Sequence, residues 1–323
     1  MEFFKISRKD IRDSLKYAAI ISSLTGKSSV YHWIDCIKCV FLYGCSPTQY
    51  FKGGFYKLRS FDRNNTYTRG RGYKMKRLFD DSNYLHFFCN KVDFNNAFSD
   101  FIKRSWIYAK SASDREMLSF LKSNERILVK PKDSAKGEGI YELDRSRPNE
   151  EIVKSFLGKD CLLESYIIQH PMMEYGVKSV NTIRINTVLD AQGNVHIIKA
   201  GLRCGVGNSI VDNYSVGGIV YPVNTRYGRI EGPGVSKKID GKIYVHPATD
   251  YFMIGREIPY WEGLREMIKS AAKIIPQIRF VGWDVAITTN GPELIEGNTR
   301  PDASLIEYQG ETRGLYRQML SYK

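Results

Sequence analysis

Two carboxylates and an amide near the C-terminus carry the most specific chemical signal in this sequence. Phe280 to Thr288 and Pro292 to Asn298 are short runs separated by Thr289-Asn290-Gly291, which reads as a β-hairpin. A three-residue loop with Gly291 left-handed places Asp284 directly opposite Glu296. Asn298 then follows on the same face, because strand side chains alternate. Val281, Trp283, Val285 and Ile287 fill the other face, so Asp284 points away from that core. Opposed carboxylates repel each other. A hard divalent cation relieves the repulsion, and Mg²⁺ suits carboxylates combined with nucleotide phosphates. Two solvated acids on a sheet edge are the plainer alternative.

Three further groups point to a bound anion. Lys130 ends the apolar strand Ile127-Leu128-Val129 and precedes a loop containing Lys136, Gly137 and Gly139. A lysine so placed can neutralise a triphosphate while loop amides approach its oxygens. No GK[ST] or GxGxxG pattern is present, and a plain hairpin turn fits the same residues. Glu164, with the backbone of Tyr166 and Ile167, lies at a strand end running into a connector, where an adenine edge could be read; a simple lobe connector is the alternative. Residues 181–190 and 195–204 form a second hairpin. An even-length turn over Ala191–Asn194 pairs Arg184 with Gly201 and sets Lys199 and Arg203 on the same face. Three cations there make a phosphate or acyl-phosphate clamp, or an exposed basic face. Asp212, Asn213, Ser215, Gly217 and Gly218 form a polar glycine loop able to close over a substrate.

The elements that must position these groups can be read from periodicity. Residues 7–45 predict two helices, with Trp33, Ile37, Val40 and Phe41 as an apolar stripe. Ser46-Pro47 marks a further helix start. A helix over 91–103, a short strand near Trp106 and a helix opened by Ser113 and Glu116, a capping-box pair, come next. Strands follow at 126–131, 139–143, 161–167, 181–190, 195–204, 217–223, 278–288 and 293–297, with helices at 149–157, 260–275 and 311–321. Two β-rich lobes with packed helices, an α+β architecture, fit this order better than a βαβ alternation. Cys36 and Cys39 form a CxxC without a second pair, so they read as buried reduced thiols.

The chain has 323 residues and a formal charge of +13. Sixteen Lys/Arg against six Asp/Glu fall in residues 1–80, so most of the positive excess lies in the first quarter. That field attracts anionic partners: nucleic acid, lipid head groups or a polyanionic glycan. No apolar run approaches the roughly 20 residues of a membrane span, and the N-terminus lacks the order of a secretory signal. A cytoplasmic protein is expected, peripheral at most to the inner membrane face.

Together VKPKDSAKGEGI, LLESYIIQHP, SVNTIRINT, VDNYSVGGIV and GWDVAI…LIEGNTRPD resemble the ATP-grasp superfamily, and within it the sugar-transfer-associated ATP-grasp family related to α-L-glutamate ligases. The likeness covers roughly residues 90–320. It implies that Asp284, Glu296 and Asn298 bind two Mg²⁺ ions bridging the phosphates of ATP. It also implies that Lys91 and Lys130 contact phosphates, that Glu164, Tyr166 and Ile167 hold adenine, and that Arg300 binds substrate. The usual ribose-binding acid has no match, leaving Gln169, His170 or Glu174. In the D-alanine–D-alanine ligase branch an arginine precedes the metal-binding aspartate; here Gly282 and Trp283 stand there, so its role passes to Arg184 or Arg203. The implied division is 1–85, a basic helical accessory domain; 86–166, pre-grasp helices and the small ATP-binding lobe; and 167–323, the large lobe with the metal site.

The implied activity is an ADP-producing ligase that activates a carboxylate as an acyl phosphate and joins it to an amine. The expected substrates are a uronic acid of a surface polysaccharide (capsule or O-antigen) and an amino acid or small amine. The basic domain would hold the anionic glycan or its lipid carrier through Arg69, Arg71, Lys74 and Lys76, and meet glycosyltransferases or the membrane surface. The alternatives are a catalytically weak nucleotide-binding accessory protein of polysaccharide assembly and a basic nucleic-acid-binding protein. Against the last, no RNP, KH or zinc-finger pattern occurs.

Overall fold

The computed structural model describes residues 8–51, 53–133, 139–146, 148–207, 217–236, 242–302 and 314–323. A helical N-terminal unit precedes two antiparallel sheets, the expected α+β arrangement. Helices α1 (Arg8–Thr25) and α2 (Ser29–Tyr43) come first, then the short α3 (Pro47–Phe51). Ser28 caps α2 by accepting from the Tyr31 amide, and Gly44 ends it in the left-handed conformation. Ser46 accepts from the Gln49 amide at the start of α3, as the Ser-Pro signal predicts.

Half of the expected α2 stripe holds, since Trp33 and Val40 pack against the core of the N-terminal unit. His32, Cys36 and Cys39 face the core, while Ile37 and Phe41 are 51% and 61% exposed. Asp35 sets this rotation: it takes two bonds from Arg63 at 2.8 and 2.7 Å and one from Tyr50 Oη at 2.7 Å. A carboxylate held inward turns the flanking small thiols into the interior and the bulkier residues out. Burial pushes the Cys36 and Cys39 thiols up to about 12 and about 11, and both are free, consistent with inert reduced cysteines.

Helices α4 (Ser60–Asn65) and α5 (Arg69–Phe79) follow, then α6 (His86–Cys89) and α7 (Lys91–Ala97). Phe88, Phe94 and Phe98 pack towards Trp283, so this segment seats on the larger sheet. The smaller sheet comprises β1 (Trp106–Tyr108), β2 (Ile127–Pro131), β3 (Tyr141–Glu142) and β4 (Cys161–Ser165), in the order β1-β4-β2-β3. It is covered by α8 (Asp114–Ser123), opened by the expected Ser113–Glu116 capping box, and α9 (Asn149–Phe156).

The larger sheet comprises β5 (Thr182–Leu189), β6 (Val195–Cys204), β7 (Ile219–Val223), β8 (Val235–Ser236), β9 (Phe280–Thr288) and β10 (Gly291–Asn298), in the order β10-β9-β5-β6-β7-β8. Ile183, Ile185, Val281, Trp283, Val285 and Ile287 bury one face of its central strands, with helix α10 (Trp261–Ala271) in the same core. On the opposite face Val188 and Phe280 pack with Tyr67, Met75 and Phe79 of the N-terminal unit and with helix α11 (Leu315–Leu320). That face carries charge at its other end.

Both long hairpins turn differently from the sequence expectation. Thr288 pairs with Gly291, leaving a two-residue turn, and Ile295 is an extra residue between the Leu294–Val285 and Glu296–Asp284 pairs. The Thr288 hydroxyl tightens this turn by donating to Gly291 O at 2.8 Å, and Gly291 has φ +95°. In the other hairpin Leu189 pairs with Val195, so the turn is odd in length, and Ile198 is the extra residue. Each bulge restores the register beyond it: Asp284 faces Glu296, and Arg184 faces Gly201.

Candidate active site

Asp284 sits in the middle of β9, 2% exposed, beneath its cross-strand partner Glu296. Arg184 on β5 binds it through Nε at 2.5 Å and Nη2 at 2.7 Å, and Arg203 on β6 through Nη1 at 2.7 Å. Burial alone would raise the Asp284 carboxyl, but the two guanidiniums outweigh it and hold it well below the usual carboxylate range. Glu296 opens to solvent on one side, yet desolvation within the crowded cleft, followed by the Asp284 charge, pushes it upward. Asn298 donates to Glu296 Oε1 at 3.2 Å, and its amide oxygen belongs to the same face.

These side chains fit a hard cation. An ionised carboxylate offers about four acceptor positions; the arginines use three on Asp284, and Glu296 makes a side-chain hydrogen bond to the same carboxylate. Two carboxylates and an amide oxygen form an all-oxygen donor set, and the mutual repulsion of the acids is what a divalent ion would relieve. Among the described residues no third acid, histidine or cysteine joins them. Remaining positions around such an ion would therefore fall to water and phosphate oxygens.

The predicted cation clamp is already engaged within the protein. Arg184 and Arg203 are committed to Asp284, and Lys199, 3% exposed, lies 3.5 Å from Glu231 Oε1. Cations buried this deeply require partners, which strand alternation alone did not reveal. Asn186 lies two residues along β5 from Arg184, is 1% exposed, and among the described residues neither of its amide atoms has a hydrogen-bond partner.

Lys130 approaches from the smaller sheet. Lys130 Nζ contacts Glu164 Oε2 at 2.5 Å, and Glu164 also binds Arg104 Nε at 2.8 Å. Burial would raise the Glu164 carboxyl; Arg104 and Lys130 instead hold it well below the normal range. Glu164 is therefore engaged by two cations of the chain and by Asn95 Nδ2 at 3.3 Å. Arg104 reaches further, to Glu293 Oε1 at 3.0 Å and to the carbonyls of Leu294 and Ile295 at 2.8 and 3.4 Å. One guanidinium thus holds the β10 bulge and the acid that holds Lys130. The sequence reading missed Arg104 and Glu293, since Arg104 lies in an unpatterned connector.

Lys91 opens α7 and donates to the carbonyls of Pro131 and Lys132 at 3.0 and 3.3 Å. Burial lowers its pKa, while Glu296 and Glu164 oppose that shift and Lys130 adds to it. It therefore feels both the metal-candidate acid and the Lys130 network. Gly139 has φ +72°, and a Cβ there would come 2.9 Å from Pro131 Cγ, so this position beside the end of β2 requires glycine. Lys136 and Gly137 lie outside the described residues, as do Asp212, Asn213 and Ser215. Gly217 and Gly218 stand at the head of β7, where Gly217 O accepts from Ser236 Oγ at 3.0 Å.

At the connector, the Tyr166 amide donates to Arg126 O at 3.0 Å, so that donor is already used. The Ile167 amide makes no bond among the described residues. His170 is tethered to β9 by its amide on Ile287 O at 2.7 Å, and its Nδ1 accepts from the Met172 amide at 3.1 Å. Arg300, exposed, lies over the Tyr73 ring of α5 at 4.3 Å, joining the N-terminal unit to the end of the site.

Similar folds occur among solved structures. N5-carboxyaminoimidazole synthetase from Staphylococcus aureus, in complex with ADP, matches with TM-score 0.48 and 10% identity over 78% of this chain and 57% of that one. ATP-grasp ligase PsnB with its minimal precursor matches with TM-score 0.45 and 10% identity over 76% and 64%. L-amino acid ligase from Bacillus licheniformis matches with TM-score 0.41 and 14% identity over 69% and 43%. The chain thus spans less than two thirds of the length of these structures. No curated protein matches it. The family described as sugar-transfer associated ATP-grasp matches residues 154–319, just over half of the sequence, including both arginines and all three metal-candidate residues; the chain belongs to that family.

Proposed function

We propose that the protein is an ATP- and magnesium-dependent carboxylate–amine ligase that works through an acyl phosphate. The observation carrying this reading is the convergence of Asp284 and Glu296, backed by Arg184 and Arg203, on the same electrostatic cluster as Lys91 and Lys130. Asp284, Glu296 and Asn298 would hold Mg²⁺, which supplies charge neutralisation at the phosphates when bound. Lys130, fixed by Glu164, and Lys91, fixed by two carbonyls, meet the phosphates without reorganising. The Ile167 amide donates to the adenine edge, and His170 lies beyond it on the ribose side. A substrate carboxylate oxygen then attacks the γ-phosphorus and ADP leaves. The amine attacks the acyl carbon, phosphate departs, and the amine proton passes to solvent. Arg184 and Arg203, oriented in advance by Asp284, stabilise the charge that develops. Gly217 and Gly218 flank the substrate side, and Arg300 binds its anionic group.

The proposed carboxylate belongs to a uronic acid of a surface polysaccharide under assembly, and the amine is an amino acid or small amine. The family description and the Arg300–Tyr73 contact support this, since a basic helical unit beside the site suits an anionic acceptor. Arg71 donates to the carbonyls of Arg63 and Thr66, so charge reversal is cleanest at the exposed Arg69 and Lys74; it should raise the acceptor KM and leave that for ATP unchanged. The decisive experiment measures ADP release over uronic acids crossed with amino acids, with the amide identified by mass spectrometry. A nucleotide-binding accessory role is the second reading, favoured by the engagement of Asp284 with two arginines. Mg-ADP stabilisation of the protein with no amide from any pair would select it, and absence of both would remove the ligase reading.

A further inference from the structure

Exposed large apolar side chains are concentrated at the start of the chain. Among the described residues, ten of the twenty-one lie between Ile11 and Leu42, in α1 and α2. Val30, Ile34 and Ile37 recur at i, i+4 and i+7 and therefore share one helix face; they are 67%, 51% and 51% exposed. Leu24, just before the α1–α2 turn, and Leu42 are 73% and 70% exposed. The opposite face of α2 is already buried through His32, Cys36 and Cys39, so this helix is apolar on two sides. Contiguous apolar surface of this kind marks an interaction site.

The charges around it indicate the partner. From Ser14 to Cys45 the cations are Lys16, Lys27 and Lys38, all exposed. The sole carboxylate, Asp35, is turned inward on Arg63. Lys38 follows Ile34 by one helical turn and borders the apolar stripe, while Lys27 leans over the Tyr31 ring at 4.3 Å. A second copy of the chain would bring these like charges face to face, which opposes association. An anionic lipid surface complements both the apolar stripe and its basic border.

We propose that the outer face of α2, with the adjoining turn after α1, docks the protein onto an anionic lipid bilayer, α2 lying in the plane of the head groups. No helix among the described residues is long and apolar enough to cross a membrane. This inference is independent of the ligase reading. The test is cosedimentation of the full chain with vesicles of phosphatidylcholine alone and of phosphatidylcholine with phosphatidylglycerol. Binding is expected only with the second, weakening as salt rises. Ile34→Glu with Ile37→Glu should reduce partitioning by at least ~10-fold. Lys27→Gln and Lys38→Gln should each reduce it by about 5-fold. All variants should keep the wild-type melting temperature and Mg-ADP shift, because the substituted groups are exposed and far in sequence from the site. Equal binding by wild type and variants, no binding to either vesicle, or a dimer that the Ile34/Ile37 variant splits in the absence of vesicle binding would each overturn the proposal. Loss of the Mg-ADP shift in the wild type would count against the ligase reading alone.

Discussion

Glu164 holds its negative charge in nearly complete burial because Arg104, Lys130 and Asn95 share it. Removing one member of such a network leaves an uncompensated buried charge. Glu164→Gln should therefore lower the free energy of unfolding by ~3–5 kcal/mol, read by urea denaturation; a loss below about 1 kcal/mol would show that the network contributes little. Individual residues were legible in the sequence where chemistry and local pairing coincide. Asp284 and Glu296 are such a case: the expected three-residue loop and the observed two-residue turn with Ile295 as an extra residue both set them opposite each other. The pairing of Glu164 with Arg104 was not legible, because Arg104 stands sixty positions earlier and no periodicity links the two. The commitment of Arg184 and Arg203 to Asp284 was hidden for the same reason: β5 pairs with β9, a contact across about one hundred residues.

At the level of elements, strand positions were read closely, and β6 matches its expected limits. Both turns were misjudged, but one extra residue in each hairpin compensated. A slip of one position sends every later side chain to the other face. Deleting Ile295 should leave Leu294 opposite Val285 and Glu296 opposite Asp284 in a continuous ladder, so Mg²⁺ should still increase the thermal shift given by ADP; loss of that response would tie the bulge itself to metal binding. Asp80 follows α5 and accepts from the amides of Arg279 and Phe280 at 3.1 Å each, while its second oxygen is buried with no partner among the described residues. Burial raises this carboxyl from 3.8 to about 7, with those amides opposing. The folded protein therefore keeps the proton to higher pH than the unfolded chain, so stability falls as pH rises through that interval and levels off above it. Asp80→Asn should flatten this slope in denaturation series across the same range, whereas an unaltered slope would assign it to other groups.

Taken whole, the molecule joins its parts through shared packing. Tyr67, Met75 and Phe79 complete a core with Val188, Phe280 and Met319, so the N-terminal unit covers one end of the face that carries the site. A chain beginning at residue 81 should expose that apolar seat and melt well below the full protein or aggregate; an unchanged melting temperature would make the unit a dispensable appendage. Composition could show that this region is basic and helical, but not where it docks, because docking depends on side chains distant in sequence. The guanidinium of Arg104 has a mechanical consequence. It grips β4 of the smaller sheet through Glu164, and β10 of the larger sheet through Glu293 and two backbone carbonyls. Any rocking of one sheet against the other must pivot at this pin. The edge bearing β3 would then sweep the widest arc, while the base of Lys130 hardly travels.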